Sequence, residues 1–316
     1  MTGNPHRPTA PAGLLARFWT APYLLLILAT LFWAGNALVG RAVRDIIPPL
    51  TLSLLRWSGA FIVLLPFAYS HLKRDLPVLR ANWLVMLMFG VLSIALFNGL
   101  LYTGVHYTTA TNAVLIQAAT SPLVALFAFL LFRETVSPRQ LAAVALSAVG
   151  VLIIVSQGKA QVLLHLKVGF GDLLILAAVM IWALYTVMLR LRPAVHPLSF
   201  LSCIFAVGVV TLIPFVANEF AHGQRLVWGA PALAAIGYVA IFPSLLAYLL
   251  YNRGVELIGA PRAGPFNNFV PLFGAVMAVV LLGEPLRGYH LLGGLFVVGG
   301  VAGAMLRTRK EKEAGA

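Results

Sequence analysis

The 316-residue sequence contains an internal duplication with an offset of 149 or 150 residues. The segment 101–105 is echoed by 250–255, and Ser121-Pro122-Leu123 is echoed by Val270-Pro271-Leu272. Apolar stretches separate the echoes in both copies, and each is long enough to cross a bilayer, which takes about 20 helical residues. A duplicated membrane architecture is typical of transporters that bind substrate between the two halves.

The composition excludes several other classes of protein. Hydrophobic residues make up 61% of the chain and charged residues 10%, whereas a soluble domain carries about 25% charged residues. The single cysteine, Cys203, excludes an intramolecular disulfide and a multi-cysteine metal site. The net charge of +13 does not indicate a nucleic-acid partner, because the basic residues are spread over short loops rather than gathered in one patch.

The hydropathy pattern predicts an all-α polytopic membrane protein with ten transmembrane helices. The first apolar stretch is predicted to be a retained helix rather than a signal peptide, because it is long, shows no cleavage site and is followed by nine more spans. The predicted spans are 22–40, 49–69, 82–103, 109–132, 138–156, 171–190, 197–217, 229–251, 260–282 and 288–306.

The distribution of lysine and arginine predicts the orientation. Of the 22 basic residues, 15 lie on the side that holds both termini and six lie on the other side, with Arg56 inside a span. The positive-inside rule therefore places both termini in the cytoplasm, here of a bacterial-type cytoplasmic (inner) membrane. Each repeat, 1–155 and 165–310, holds five spans. An odd number of spans inverts the second repeat relative to the first.

The motifs resemble those of a known family. The region 98–153 is similar to the repeat of the drug/metabolite transporter superfamily, EamA type. The matching positions in the first half are Gly99, Tyr102, Ala110, Ser121, Pro122, Glu134, Gln140 and Gly150, and those in the second are Gly254, Ala260, Pro271, Glu284 and Gly300. The ten-span pattern is also similar to bacterial amino-acid exporters of the YddG type. This resemblance implies a central cavity surrounded by helices 1–4 and 6–9.

Polar and aromatic residues inside the spans are the candidates for substrate binding, because a polar side chain in a bilayer is costly unless it meets protein or water. Aromatic walls suit planar apolar groups or cations. The alternative is ordinary helix packing and hydrogen bonding between helices. The predicted substrate-binding residues are Trp33, Asn36, Asn98, Tyr102, Gln117, Trp182, Tyr185, Tyr248, Asn267 and Asn268.

Five further residues are predicted to serve gating or the structure. Pro122 and Pro271 interrupt the backbone hydrogen bonding of spans 4 and 9. Glu134 and Glu284 precede spans 5 and 10, where a carboxylate favours a helix N-terminus, and Ser137 is the predicted N-cap of span 5. Arg56 has two interpretations, a bidentate partner for a substrate carboxylate or a structural cation. The resemblance favours the structural one, because it implies an arginine at this position in family members with unlike substrates.

These patterns predict a transporter that exports amino acids, aromatic and other neutral ones, and similar small amphiphiles. The acidic residues lie at span ends, in loops or in the tail, so movement is expected to be at least partly facilitative. No metal or other cofactor and no nucleic-acid partner is expected, the contacts being substrate and membrane lipid, with a monomer as the expected unit. The alternatives are a transporter of drugs or cationic compounds, or a membrane-embedded enzyme.

Overall fold

The computed structural model describes residues 13–108, 110–159, 161–162, 169–282 and 285–305. In this part of the chain the secondary structure is helical, and ten helices are long and apolar enough to cross a membrane. A short helix, Leu14–Trp19, precedes them. The predicted fold class is therefore confirmed.

We number the ten helices α1 to α10. Four of them contain an irregular segment, which is described below. Their bounds are α1 Pro22–Ala42, α2 Pro49–Ala81, α3 Trp83–His106, α4 Ala110–Phe132, α5 Pro138–Val155, α6 Phe170–Leu191, α7 Pro197–Ala221, α8 Ala230–Ile258, α9 Ala260–Leu282 and α10 Gly288–Met305.

Proline marks where several of these helices begin. The first residue of α1, α2, α5 and α7 is a proline, which has no N–H to leave unpaired and a φ angle suited to the first turn. Before α5, the hydroxyl of Ser137 accepts a hydrogen bond from the Gln140 N–H at 3.3 Å, and the Gln140 side chain accepts one from the Ser137 N–H at 3.0 Å. The predicted N-cap of α5 is thus confirmed as a capping box.

Two helices are longer than the hydropathy pattern predicted. The second continues to Ala81 rather than ending at residue 69, and the eighth continues to Ile258 rather than 251. Hydropathy detects only the part of a helix that suits hydrocarbon, whereas a helix extends into water wherever polar side chains and tertiary contacts support it.

The helices pair in a pattern that the duplication explains. The main pairs are α2 with α7, α5 with α10, α3 with α6 and α8 with α1. Exchanging each helix with its counterpart in the other repeat, five helices away, converts the pair α3–α6 into α8–α1 and leaves the other two pairs unchanged. This is the packing of two inverted five-helix repeats related by a pseudo-two-fold axis.

Repeated glycines lie where the paired helices cross most closely. A Cβ atom on Gly150 of α5 would lie 2.6 Å from the Gly293 carbonyl oxygen of α10, and one on Gly300 would lie 2.5 Å from the Ser147 backbone nitrogen. These distances leave no room for a side chain. The close α5–α10 contact is therefore made between small residues within one chain, as small-residue interfaces in membranes usually are.

We expect Gly150→Ala to destabilise the protein, because its methyl group would meet the backbone of α10. Overpacking of this kind costs about 1–3 kcal/mol. The measurement is the thermal unfolding midpoint of the purified protein in detergent. The matched control is Gly274→Ala in α9, where an added Cβ would meet nothing within 4 Å. An equal midpoint for both variants would contradict the α5–α10 contact.

The two repeats also share their irregular segments. Helix α3 contains a π-helical segment at Val91–Leu96, and α8 contains one at Ala240–Leu246. Their first residues are separated by the offset of the duplication. Helix α4 is interrupted between Gln117 and Thr120, and α9 contains a 3₁₀ segment at Gly264–Asn268. Such interruptions within helices are frequent at functional sites.

Candidate substrate site

Five aromatic side chains from α1, α6 and α8 meet at the centre of the protein. This aromatic cluster consists of Trp33, Trp182, Tyr185, Tyr248 and Tyr251. The ring centroids of Trp33 lie 5.2 Å from Trp182 and 5.0 Å from Tyr251. Tyr185 and Tyr251 are fully buried. The rings contact one another in the region where the family resemblance implied a cavity.

Two polar atoms of the cluster bond to the two π-helical segments. Trp33 donates from Nε1 to the Pro243 carbonyl oxygen at 3.0 Å, and the Tyr248 hydroxyl donates to the Ser93 carbonyl oxygen at 2.9 Å. The π-helical segments in α3 and α8 thus each supply a backbone acceptor to the cluster. These hydrogen bonds satisfy the polar ends of the two rings.

A buried arginine lies beside the aromatic cluster. Only 4% of Arg56 is exposed, and its guanidinium lies 4.7 Å from the centre of the Trp57 ring. Trp57 in turn packs against Tyr248, with ring centroids 4.9 Å apart. The cation therefore shares one ring with the cluster and adds a positive charge to its border.

The hydrogen-bond partners of Arg56 are all neutral. Its Nε donates to the Ser244 hydroxyl at 2.8 Å, and its terminal nitrogen lies 3.4 Å from both the Asn36 oxygen and the Tyr102 hydroxyl. Among the residues that the structure describes, no carboxylate forms an ion pair with Arg56. A buried guanidinium without an anionic partner is costly.

A proline in α8 prepares this arrangement. Pro243 has no N–H, so the carbonyl of Val239 four residues earlier lacks its usual helical donor. The Ser244 hydroxyl donates to that carbonyl at 2.7 Å and accepts the hydrogen bond from Arg56. The chain Val239–Ser244–Arg56 therefore links the irregular segment of α8 to the cation in α2.

The other predicted binding residues lie in different places. Asn267 donates to the Tyr251 hydroxyl at 3.2 Å and so borders the cluster. Asn98 and Gln117 bond to carbonyls of their own helices. Asn268 is 1% exposed and donates to the Ser147 hydroxyl in α5 at 2.8 Å. The structure thus brings together Trp33, Asn36, Tyr102, Trp182, Tyr185, Tyr248 and Asn267, but not Asn98, Gln117 or Asn268.

Three residues of this centre were not expected from the sequence. They are Trp57, Ser244 and Tyr251. Tyr251 occupies the position that echoes Tyr102 in the duplication, and this symmetry was the available signal for it. Trp57 directly follows Arg56, but nothing in the local sequence indicates that its ring contacts Tyr248. Ser244 lies far from Arg56 along the chain, so only the folded structure shows the contact.

The two proline-containing helices meet each other at their interruptions. Pro122 is in the first turn of the second part of α4, and Pro271 is near the start of the second part of α9. The Ser121 hydroxyl donates to the Gly264 carbonyl oxygen at 3.1 Å. The interruptions in α4 and α9 therefore lie against one another, close to the residue Asn267 that borders the aromatic cluster.

Glu134 does not cap α5 as predicted. Its Oε1 accepts a hydrogen bond from Arg190 at 2.6 Å, which forms an ion pair between the ends of α4 and α6. Ser137 caps α5, as predicted, because its hydroxyl reaches the first turn, whereas Glu134 points towards α6. Glu284, predicted to play the corresponding part before α10, lies outside the described residues.

Two buried carboxylates at helix ends each accept several hydrogen bonds. Glu219 of α7 accepts hydrogen bonds from the backbone N–H groups of Leu50 and Thr51, at 3.0 and 2.8 Å, at the start of α2. Asp172 of α6 accepts from the side chains of Thr108 and Asn112 and from the Gly169 N–H. Both carboxylates join neighbouring helices at a membrane face, and neither faces the aromatic cluster.

The connection between α6 and α7 contains a histidine next to α2. The His196 ring stacks on His71 with centroids 3.6 Å apart, and its backbone N–H donates to Asp75 at 2.9 Å. Burial is the main cause that lowers the pKa of His196; the His71 ring acts in the same direction, and Asp75 opposes both. A neutral His196 ring can stack on His71 without repulsion between charges.

The sequence also matches known proteins. The profile of the EamA-like transporter family matches residues 20–156 and again 169–306. A relative from Archaeoglobus fulgidus, named "Uncharacterized transporter", is 29% identical over 92% of this chain and 98% of that protein. "Uncharacterized transporter YyaM" of Bacillus subtilis is 28% identical over 80% of this chain and 83% of that protein.

Two further proteins are similar to this chain over most of its length. "Uncharacterized inner membrane transporter YicL" of Salmonella typhimurium is 22% identical over 92% of this chain and 97% of that protein. A solved crystal structure covers 94% of this chain and 99% of its own chain with a TM-score of 0.76 at 19% identity, and so shares the fold. With two family matches that together span most of the sequence, this chain is a multi-pass membrane transporter, not an enzyme, and belongs to the EamA-like transporter family.

Proposed function

We propose that the protein exports neutral amino acids, aromatic ones included, and similar small amphiphiles across the cytoplasmic membrane. The observation that carries this proposal is the buried Arg56, which has neutral partners only and lies beside an aromatic cluster. An amino acid would supply a carboxylate for the guanidinium and an apolar side chain for the rings. The unit proposed to do this is the monomer, with halves at 1–155 and 165–310.

The same observation argues against a cationic substrate. A cation next to Arg56 would add a second buried positive charge, and like charges repel strongly where little water is present. Sugar phosphates are disfavoured for a different reason, since a dianionic group calls for several deep cations. Arg56 is the one buried lysine or arginine among the described residues.

The inverted repeats support alternating access as the mechanism. Two halves related by a two-fold axis in the membrane plane can exchange conformations and thereby open the site to either side. The interruptions in α4 and α9 would serve as bending points, because their irregular turns lack a continuous backbone ladder. The buried carboxylates Asp172 and Glu219 hold helix ends together, so proton coupling through the centre is not expected and net movement would follow the substrate gradient.

The orientation is testable with single cysteines in a Cys203→Ser background. The changes Lys73→Cys and His222→Cys, both at exposed positions, should give thiols that react with a membrane-impermeant maleimide from opposite sides in intact cells and inverted vesicles. The basic residues place Lys73 in the cytoplasm. Reaction of the Lys73→Cys variant from outside would reverse the proposed orientation, and reaction of both variants from one side would contradict the ten-helix topology.

The proposed substrate class is tested with purified protein in liposomes. Labelled phenylalanine should leave the liposomes faster than through protein-free membrane, in the presence of an uncoupler and with no pH gradient. A flux that stops without a proton gradient and returns with one would contradict the facilitative mechanism. Flux of a sugar phosphate alongside none of any neutral amino acid would refute the substrate class.

A further inference from the structure

A second, smaller polar site lies where α6 ends and α8 leaves the membrane. Arg192, Phe200, Asn252, Arg253 and Glu256 line a small pocket there. The pocket has a volume of about 10 Å³, which is the room that one water-sized group needs. This site is separate from the Arg56 site in the middle of the membrane.

The pocket contains a buried donor without a partner. Asn252 is 5% exposed, and its oxygen accepts a hydrogen bond from the Tyr185 hydroxyl at 2.9 Å. Its amide nitrogen, however, has no hydrogen-bond partner. A buried donor of this kind costs about 1–3 kcal/mol unless something binds it. Because Tyr185 belongs to the aromatic cluster, Asn252 connects the pocket directly to the proposed substrate site.

The two arginines of the pocket are more buried than the carboxylate between them. Glu256 pairs with Arg192 at 3.4 Å through one oxygen and with Arg253 at 3.1 Å through the other. The Glu256 side chain is 40% exposed, whereas those of Arg192 and Arg253 are 14% and 22% exposed. Glu256 is thus the member of the trio that can move into water at the lowest cost.

Both guanidiniums have contacts that do not depend on Glu256. Arg192 lies over the Phe200 ring at 5.5 Å, and Arg253 lies over the Trp19 ring at 5.8 Å while donating to the Trp19 carbonyl. They would therefore stay in place if Glu256 moved away. An arriving carboxylate would then find two guanidiniums and one amide donor, a set that suits its oxygens.

This pocket breaks the symmetry of the duplication. The second repeat has Asn252 and Arg253 between Tyr251 and Gly254, whereas the first repeat has only Thr103 between Tyr102 and Gly104. Gly104 packs closely on α6 and its counterpart Gly254 packs closely on α1, so the glycines match and the arginine is present in the second repeat alone. A recognition site formed on one face alone would distinguish the two directions of approach, which inverted repeats by themselves do not.

We infer that this pocket is a recognition site for the carboxylate of the substrate, on the route from the face where α8 ends to the aromatic cluster. The carboxylate replaces Glu256 between Arg192 and Arg253 and accepts a hydrogen bond from Asn252. This displacement opens the ion pair that joins the end of α6 to α8. The inference rests on the proposed function, and under the predicted topology the pocket faces the cytoplasm.

The first test measures binding without transport. Leu249 also lines the pocket, so a Leu249→Cys change in a Cys203→Ser background places a thiol there. Acetate at about five times its Kd should slow maleimide labelling about six-fold in the purified protein, and acetamide at the same concentration should not. Arg192→Gln should abolish this protection. The control Arg190→Gln removes the neighbouring ion pair with Glu134 and should retain the protection by acetate.

The second test measures direction. Asn252→Ala and Arg192→Gln should each raise the KM for phenylalanine about ten-fold from the face that bears the pocket. The KM from the opposite face should change less than two-fold. The ratio of the maximal rates from the two faces should shift by the same factor as the ratio of the KM values, because passive transport requires an equal quotient of maximal rate and KM in both directions. Arg190→Gln should leave both KM values unchanged. Since the labelling test does not need flux, a protein that moves no amino acid would refute the proposed function and still report on the pocket.

Three results would overturn the inference. One is equal protection of the Leu249→Cys thiol by acetate and acetamide. Another is protection that survives Arg192→Gln. The third is a KM that rises equally from both faces. That result would mean that the substitutions act on the structure as a whole or on the central site rather than on the pocket at one face.

Discussion

Replacing Arg56 by Gln is expected to lower the affinity for phenylalanine about 10- to 100-fold while the protein still folds. The guanidinium is buried and bonds to Ser244, Asn36 and Tyr102, none of which is charged. A hydrogen bond to a charged group contributes about 1.5–3 kcal/mol, and each 1.4 kcal/mol is a factor of ten. Glutamine removes that charge but retains a donor for Ser244. The measurement is the KM for phenylalanine in liposomes, with the unfolding midpoint recorded for each variant.

Two variants serve as comparisons for this result. Arg56→Lys keeps the charge but loses the planar pair of donors, so its KM should lie between those of the wild type and Arg56→Gln. Arg139→Gln changes an exposed residue in the first turn of α5 and should leave transport unchanged. A purely structural role for Arg56 predicts a lower unfolding midpoint in Arg56→Gln with an unchanged KM, and that outcome would contradict a carboxylate site.

Replacing Trp182 by Ala is expected to have the largest effect among the aromatic residues. Its ring packs against Trp33, Tyr185, Tyr248 and Tyr251, with centroid distances of 5.1–5.6 Å. Removing a buried tryptophan costs about 3–5 kcal/mol. Part of this loss would appear as lower stability and part as weaker binding of aromatic substrates, because the stacking surface disappears from the centre of the cluster.

The substrate dependence separates these two effects. Trp182→Ala should weaken transport of phenylalanine far more than that of alanine, whereas Trp182→Phe, which keeps a ring, should restore much of the phenylalanine rate. Trp228→Ala changes a residue that is 64% exposed and should alter the transport of neither substrate. Equal losses for phenylalanine and alanine in Trp182→Ala would mean that the ring supports the fold without recognising the substrate.

The sequence predicted the helices and their inverted arrangement because these depend on local features. A run of apolar residues of sufficient length defines a span, and a duplication with five spans in each copy defines the inversion.

The details of the site depend on how each helix is rotated, which local sequence does not determine. Asn267 and Asn268 are adjacent, yet the first reaches Tyr251 and the second reaches Ser147 of α5. Glu134 was expected to cap α5, but an arginine at the end of α6 lies closer. Pro243 leaves the Val239 carbonyl without its helical donor, and the Ser244 hydroxyl donates to that carbonyl. The same hydroxyl accepts from Arg56, which is 188 residues away along the chain, so local sequence does not indicate this contact.

The central claim is that Arg56 and the aromatic cluster together recognise an amino acid. It is tested most directly by equilibrium binding of labelled phenylalanine to the purified protein, with competitors that each lack one group. Phenethylamine lacks the carboxylate and alanine lacks the ring, and each should compete at least about ten-fold more weakly than unlabelled phenylalanine. Phenethylamine that competes as well as phenylalanine would contradict the claim.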